Sequence, residues 1–152
     1  MDELERGEIL MQAVSQMHRL QIEKLGKLEI SLTLRQFRIL QQVSEGYSSL
    51  SDLSRLSRRS LPTTSESVDG LLRRKLLTRK PSEADRRAVV LNLTPLGEKA
   101  LALGSDCLNQ LAEALFAELP ASRQKVLEQL VRRMYSYAGE RMTDIDVTDY
   151  PT

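Results

Sequence analysis

A mainly α-helical chain with one small β-hairpin is predicted by three observations. Apolar residues recur at helical spacing through most of the 152 residues. The period switches to alternation at Val89-Val90-Leu91-Asn92-Leu93, directly after the polar, turn-prone run from Pro81 to Arg87. Charge is segregated as well. Residues 33–94 carry 12 Lys and Arg against 6 Asp and Glu, a net +6, whereas the rest carries 10 against 15, a net −5.

Each element has a local signature. Glu8 to Leu28 reads as a long amphipathic helix with Leu10, Val14, Met17 and Leu25 near one stripe. Ile30-Ser31-Leu32 breaks it. Thr33 caps a second helix running to about Glu45, with Leu34, Phe37, Leu40 and Val43 facing inward and Gly46 as its stop. Ser49 opens a short third helix with Asp52 at the capping-box position and Leu50, Leu53 and Leu56 apolar. After the turn Ser57-Arg58-Arg59, Ser60 is an N-cap and Pro62 lies in the first turn of a fourth helix, where a missing N–H does no harm. Val68, Leu71 and Leu72 form its apolar stripe. A short strand around Leu77–Lys80 pairs with the strand at 89–93, placing Val89, Leu91 and Leu93 on one face. Thr94 and Pro95 then start a helix carrying Leu101, Leu108, Leu111 and Leu115, which ends at Leu119-Pro120. The last helix covers Ala121 to about Arg141, with Leu127, Leu130, Val131, Met134 and Ala138 apolar, and residues 143–152 form an acidic, frayed tail. A helix followed by a hairpin with two arginines at its tip is a winged helix-turn-helix, spanning about residues 33–94 and flanked by helices at about 8–28 and 95–141. The length suits a single domain, residues 1–152.

Composition narrows the function classes. At 41% apolar the chain can build a core. It has no apolar run long enough for a membrane span, and the acidic start Met1-Asp2-Glu3 is unlike a signal peptide. The single cysteine, Cys107, rules out an internal disulfide, and a cytoplasmic location is expected. No glycine-rich phosphate loop, nucleophile elbow or Ser/His/Asp set occurs, so no enzyme and no cofactor are expected. The only histidine is His18, which excludes a site built from several imidazoles of one chain, and no metal site is expected. The basic middle points to a polyanion partner for that part alone.

Three segments carry a resemblance. LTLRQFRIL (32–40), LSDLSRLSRRSLPTTSESVDGLLRRKLL (50–77) and above all ADRRAVVLNLTPLGEKAL (84–101) look like the MarR family of bacterial winged helix-turn-helix transcription regulators. The most specific part is Asp85-Arg86-Arg87 followed by Leu93-Thr94-Pro95-Leu96-Gly97. Two departures stand out. Lys75 occupies the place where the family usually has the glycine that closes the recognition helix, and that helix is rich in Ser and Thr. The resemblance implies a triangular homodimer on a pseudo-palindromic double-stranded DNA operator, often released by small phenolic or otherwise lipophilic ligands. The expected function is that of a ligand-responsive repressor. A dimeric helical module that binds other proteins without specific DNA binding is the alternative; it would need the apolar stripes but neither the charge segregation nor the arginine hairpin.

The candidate DNA-binding residues follow from how such a helix works. A recognition helix enters the major groove by its N-terminal turn, where Ser60, Thr63, Thr64 and Ser65 offer short donors and acceptors. For Ser60, simple capping is the competing role. Arg58 and Arg59 can reach phosphates or a guanine. At the hairpin tip Arg86 and Arg87 suit a narrow minor groove, where negative potential concentrates. Asp85, repelled by DNA, is expected to hold an arginine, Arg87, in the inserting geometry.

Remaining polar residues have two readings. His18, Arg19 and Arg38 could meet an effector's carboxylate between the flanking helices and the winged helix, or His18 is a partly buried helix residue. Cys107 lies among leucines and reads as an inert core or interface thiol. Relatives that sense oxidants carry a cysteine near the first helix, and this chain has none there.

Overall fold

The computed structural model describes residues 3–142, with side-chain environments for 5–140; the acidic segment expected to fray, 143–152, lies outside them. Six helices and one hairpin follow in the order α1 (Glu3–Gly26), α2 (Leu34–Ser44), α3 (Leu50–Ser57), α4 (Leu61–Arg73), β1 (Leu77–Pro81), β2 (Val89–Leu93), α5 (Pro95–Ala117) and α6 (Ala121–Met142). Helix α1 thus begins five residues earlier than its periodicity suggests and stops two residues before Leu28. The mainly α fold with a hairpin wing is the one expected from sequence.

Side-chain caps set the helix starts. The Thr33 hydroxyl accepts from the Gln36 N–H at 3.1 Å and the Gln36 side chain accepts from the Thr33 N–H at 3.1 Å, a full capping box on α2. Ser49, Ser60 and Thr94 cap α3, α4 and α5 in the same sense, each accepting an N–H three residues on. Helix α2 stops at Gly46, whose φ of 101° an L side chain rarely adopts.

The core sits beneath the winged helix. Leu25 of α1, Leu40 of α2, Leu53 of α3, Val68 and Leu71 of α4, and Leu76 and Leu77 entering β1 are all fully buried. Burying one such side chain contributes about 1.5–3 kcal/mol. The ion pairs Lys27–Glu23, Arg55–Asp52, Arg79–Asp69, Lys99–Glu29 and Arg132–Glu128 are exposed. An exposed pair adds about 0–1 kcal/mol, less than one buried leucine. Strands β1 and β2 pair antiparallel with Leu77 opposite Leu93 and Pro81 opposite Val89. The alternation in β2 holds at Leu91, which is buried, but Val89 is half exposed because the hairpin has left the core by then. On its other edge β2 is met by Ser48, whose carbonyl accepts from the Leu91 N–H at 2.9 Å.

The junction between α4, β1 and α5 is tightly constrained. Lys75 has φ 58°, a left-handed conformation that costs an L residue roughly 1–2 kcal/mol. Three contacts from the start of α5 hold it. The Thr94 hydroxyl donates to the Lys75 carbonyl at 2.6 Å, and the Thr94 N–H donates to the Leu76 carbonyl at 3.2 Å. Gly97 lies directly over Leu76, where any Cβ would overlap the Leu76 carbonyl oxygen. The segment Leu93-Thr94-Pro95-Leu96-Gly97 therefore locks the exit of α4 as well as starting α5.

Two substitutions at this junction should act in opposite directions. Gly97→Ala must displace backbone and should lower stability by about 1–3 kcal/mol, as overpacking does. Lys75→Gly relieves the left-handed strain at the cost of extra freedom in the unfolded chain, for a net gain of about 0.5–1 kcal/mol. Urea denaturation followed by circular dichroism checks both.

Candidate nucleic-acid interface and adjoining cleft

Helix α4 turns one face inward. Thr64, Val68 and Leu71 are buried, and at 100° per residue the opposite stripe is Pro62, Glu66, Asp69 and Arg73. Ser60 is exposed at the head of the helix; its hydroxyl accepts from the Thr63 N–H at 3.3 Å and donates to Thr63 Oγ1 at 2.8 Å. The capping role of Ser60 is thus a geometric fact. Thr63 and Ser65 are half-buried on the flanks of the first turn, with Arg59 exposed just before it.

Two of the expected contact residues are engaged elsewhere. Thr64 is 3% exposed, and its hydroxyl donates to the Ser60 carbonyl at 3.0 Å, so it faces the core and offers nothing outward. It precedes Val68 by one helical turn and shares its face. Arg58 is half-buried at the left-handed C-cap of α3, with φ 51°, and makes an interaction within the chain.

The hairpin tip is built by Asp85. Asp85, Arg86 and Arg87 are all exposed. The Asp85 carboxylate accepts from the Arg87 backbone N–H at 2.9 Å, and its carbonyl accepts from the Ala88 N–H at 3.0 Å. The expected grip on the Arg87 guanidinium is therefore replaced by a grip on the Arg87 backbone, an Asx-type turn. Below the tip, the Ser82 N–H donates to the Ala88 carbonyl at 2.8 Å and closes the loop. An Arg79–Asp69 ion pair at 3.3 Å ties β1 to the outer face of α4. The ten-residue separation of that pair leaves no local trace in the sequence.

Beside α4 lies an open cleft of about 1130 Å³ bordered by α1, α2, α3 and α4, with Glu66 and Arg73 of the outer α4 stripe among its lining. It brings His18 and Arg38 together, along with Gln42, Arg59 and Arg74; Arg19 is exposed but does not line it. His18 is exposed, so the reading of it as a partly buried residue fails. Among the described residues, Gln42 Oε1 is the one buried side-chain polar atom without a hydrogen-bond partner. Arg74 closes the end of the cleft, donating to the Ser31 carbonyl at 2.6 Å and to Gln36 Oε1 at 3.2 Å. The far end of α4 is thereby fastened to the start of α2. Among the described residues no group of His, Cys, Asp and Glu is arranged to hold a metal ion. Cys107 is a half-buried free thiol on α5, and no helix among the described residues is long and apolar enough to cross a membrane.

Comparison with known proteins matches residues 30–88 to the MarR family. No curated protein matches the chain significantly. Among solved structures, FabT of Streptococcus pneumoniae in complex with DNA superposes with a TM-score of 0.80 at 18% identity, covering 91% of this chain and 99% of that one. A single-residue mutant of S. aureus MepR reaches 0.76 at 19% identity over 87% and 97%. Wild-type apo MarR from E. coli reaches 0.72 at 23% identity over 84% and 94%. At these identities the likeness is one of fold.

Proposed function

We propose that the chain, whose winged helix (residues 30–88) matches the MarR family, is a cytoplasmic transcription regulator of that family that binds a pseudo-palindromic double-stranded DNA operator as a homodimer. The observation that carries this reading is the joint exposure of two surfaces, the first turn of α4 and the two-arginine tip held by Asp85. In this reading the α4 turn enters the major groove with Ser60, Thr63, Ser65 and Arg59, while Arg86 and Arg87 follow the minor groove. Thr64 supports the helix from beneath.

The flanking helices support the dimer. Helix α6 packs mainly on α5, and it leaves Val126, Leu130, Val131, Met134 and Tyr135 exposed. Helix α1 likewise exposes Ile9, Leu10, Met11 and Val14. Apolar surface of this extent on two terminal helices is a protein-binding feature. A second copy would cover it and bring two α4 helices to two half-sites, so the whole chain works as one unit. Light scattering at micromolar concentration should give twice the chain mass of 17.2 kDa. A compact monomer would refute the dimer.

The cleft supports control by a small aromatic or lipophilic acid. Arg38 is a cationic partner for a carboxylate, His18 offers it a ring N–H, and the orphaned Gln42 Oε1 would accept a donor from the same molecule. A ligand that prefers a DNA-incompetent arrangement would release the operator, which makes the protein a ligand-responsive repressor. Aromatic carboxylates should weaken operator binding, and His18→Ala should blunt that response while leaving DNA binding unchanged. An unaltered response in a titration of operator affinity would remove His18 from the effector site.

The wing gives the sharpest test of DNA binding. Arg87→Ala should weaken operator binding by about 1–3 kcal/mol per wing and flatten its salt dependence, because fewer counterions are released. Asp85→Ala should also weaken binding, by about 0.5–1.5 kcal/mol, although it removes a negative charge beside DNA, because the tip loses the hydrogen bond that shapes it. Fluorescence anisotropy at several salt concentrations, with circular dichroism as the folding control, measures both. Tighter binding by Asp85→Ala would refute the shaping role, and unaltered binding by Arg87→Ala would remove the wing from the mechanism.

A further inference from the structure

Glu66 is the anomaly on the outward side of α4. It is exposed, it lies on the stripe opposite Thr64, Val68 and Leu71, and it sits within the segment of net charge +6. Unlike Asp69, which is paired with Arg79, its carboxylate has no hydrogen-bond or ion-pair partner among the described residues. Arg59 and Arg73 border the same cleft, yet neither pairs with it.

Ordinary reasons for a helical glutamate do not apply. Glu66 is the sixth residue of α4, beyond the first turn where the helix dipole favours an anion. Its neighbours three and four residues away are Thr63, Asp69, Pro62 and Gly70, so no cation lies in helical pairing reach. In a complex with DNA the carboxylate is repelled by every phosphate. A carboxylate gains from DNA only where a base edge offers a donor, and in the major groove its matching partner is the exocyclic amino group of cytosine.

Resting on the reading that α4 enters the major groove, we infer that Glu66 is a specificity-determining residue that selects cytosine at one symmetric position in each half-site. It accepts a hydrogen bond from the cytosine N4 amino group and rejects thymine, whose O4 at the same place is an acceptor. The carboxylate thus lowers affinity for DNA in general and restores it at one base pair.

Selection from a random duplex library followed by sequencing tests this. The wild type should enrich one cytosine per half-site, guanine on the complementary strand, with about tenfold preference over other bases at that place. Glu66→Ala should lose the preference there alone, keep the rest of the motif, and bind a random-sequence duplex more tightly. Glu66→Gln should shift the preference towards adenine, which a carboxamide reads through N6 and N7. Glu66 is exposed, so folding should survive, as circular dichroism checks. A motif unchanged in both variants would overturn this inference and leave DNA binding intact. No motif for the wild type would overturn the specific-DNA reading together with it.

Discussion

The orientation of α4 depends on a single backbone arrangement at its exit. The chain must leave the helix, reverse and enter β1 within three residues, and it does so through a left-handed lysine. Two carbonyls of α4 favour that conformation, Leu72 accepting from the Lys75 N–H and Leu71 from the Leu76 N–H, each at 3.0 Å. The start of α5 then lies on top of it, with the Thr94 hydroxyl on the Lys75 carbonyl and Gly97 against Leu76. Strain of this kind survives only where its surroundings over-determine it. The outer face of α4, the root of the hairpin and the first turn of α5 are consequently fixed together. Arg74 extends the same clamp to α2 through Gln36 and Ser31.

This clamp links the two candidate sites. Gln36 Oε1 accepts both from the Thr33 N–H, as part of the α2 cap, and from Arg74 at the end of α4. Arg74 also borders the cleft that holds His18 and Arg38. A group that draws Arg74 towards the cleft would take it from both acceptors at once. The effect would reach α4 without any contact to its outer face, a route for coupling that needs only one side chain with two alternative partners.

What the sequence conveys depends on how local each signal is. Thr33, Ser49, Ser60 and Thr94 act on an N–H three residues away, and all four caps are legible. The hairpin follows from the switch to alternation. Thr64 misleads because a hydroxyl beside two others suggests an outer face, although its spacing from Val68 places it inside. Asp85 misleads through its charge, where the hydrogen bond within reach is that of a backbone N–H. The Arg79–Asp69 pair and the seat of Gly97 on Leu76 are tertiary, and no spacing announces them. Lys75 stands out as a departure from the pattern of the family the sequence resembles, but the positive φ behind it is a property of the fold. Glu66 carries no signal of its own, because an acid within a basic segment looks like solvation until the buried stripe defines the opposite face.

The hairpin carries a consequence for how copies of this chain meet. A two-stranded sheet has two open edges, each able to recruit a further strand from another molecule. Here the β2 edge is already met by the Ser48 carbonyl at the Leu91 N–H. The β1 edge bears Arg79 and Lys80 and ends in Pro81, which has no N–H to donate. Strand-to-strand growth into fibrils is thus blocked at one edge by occupancy and at the other by charge and by proline. Any self-association is left to helical surfaces, where it can close on itself instead of propagating.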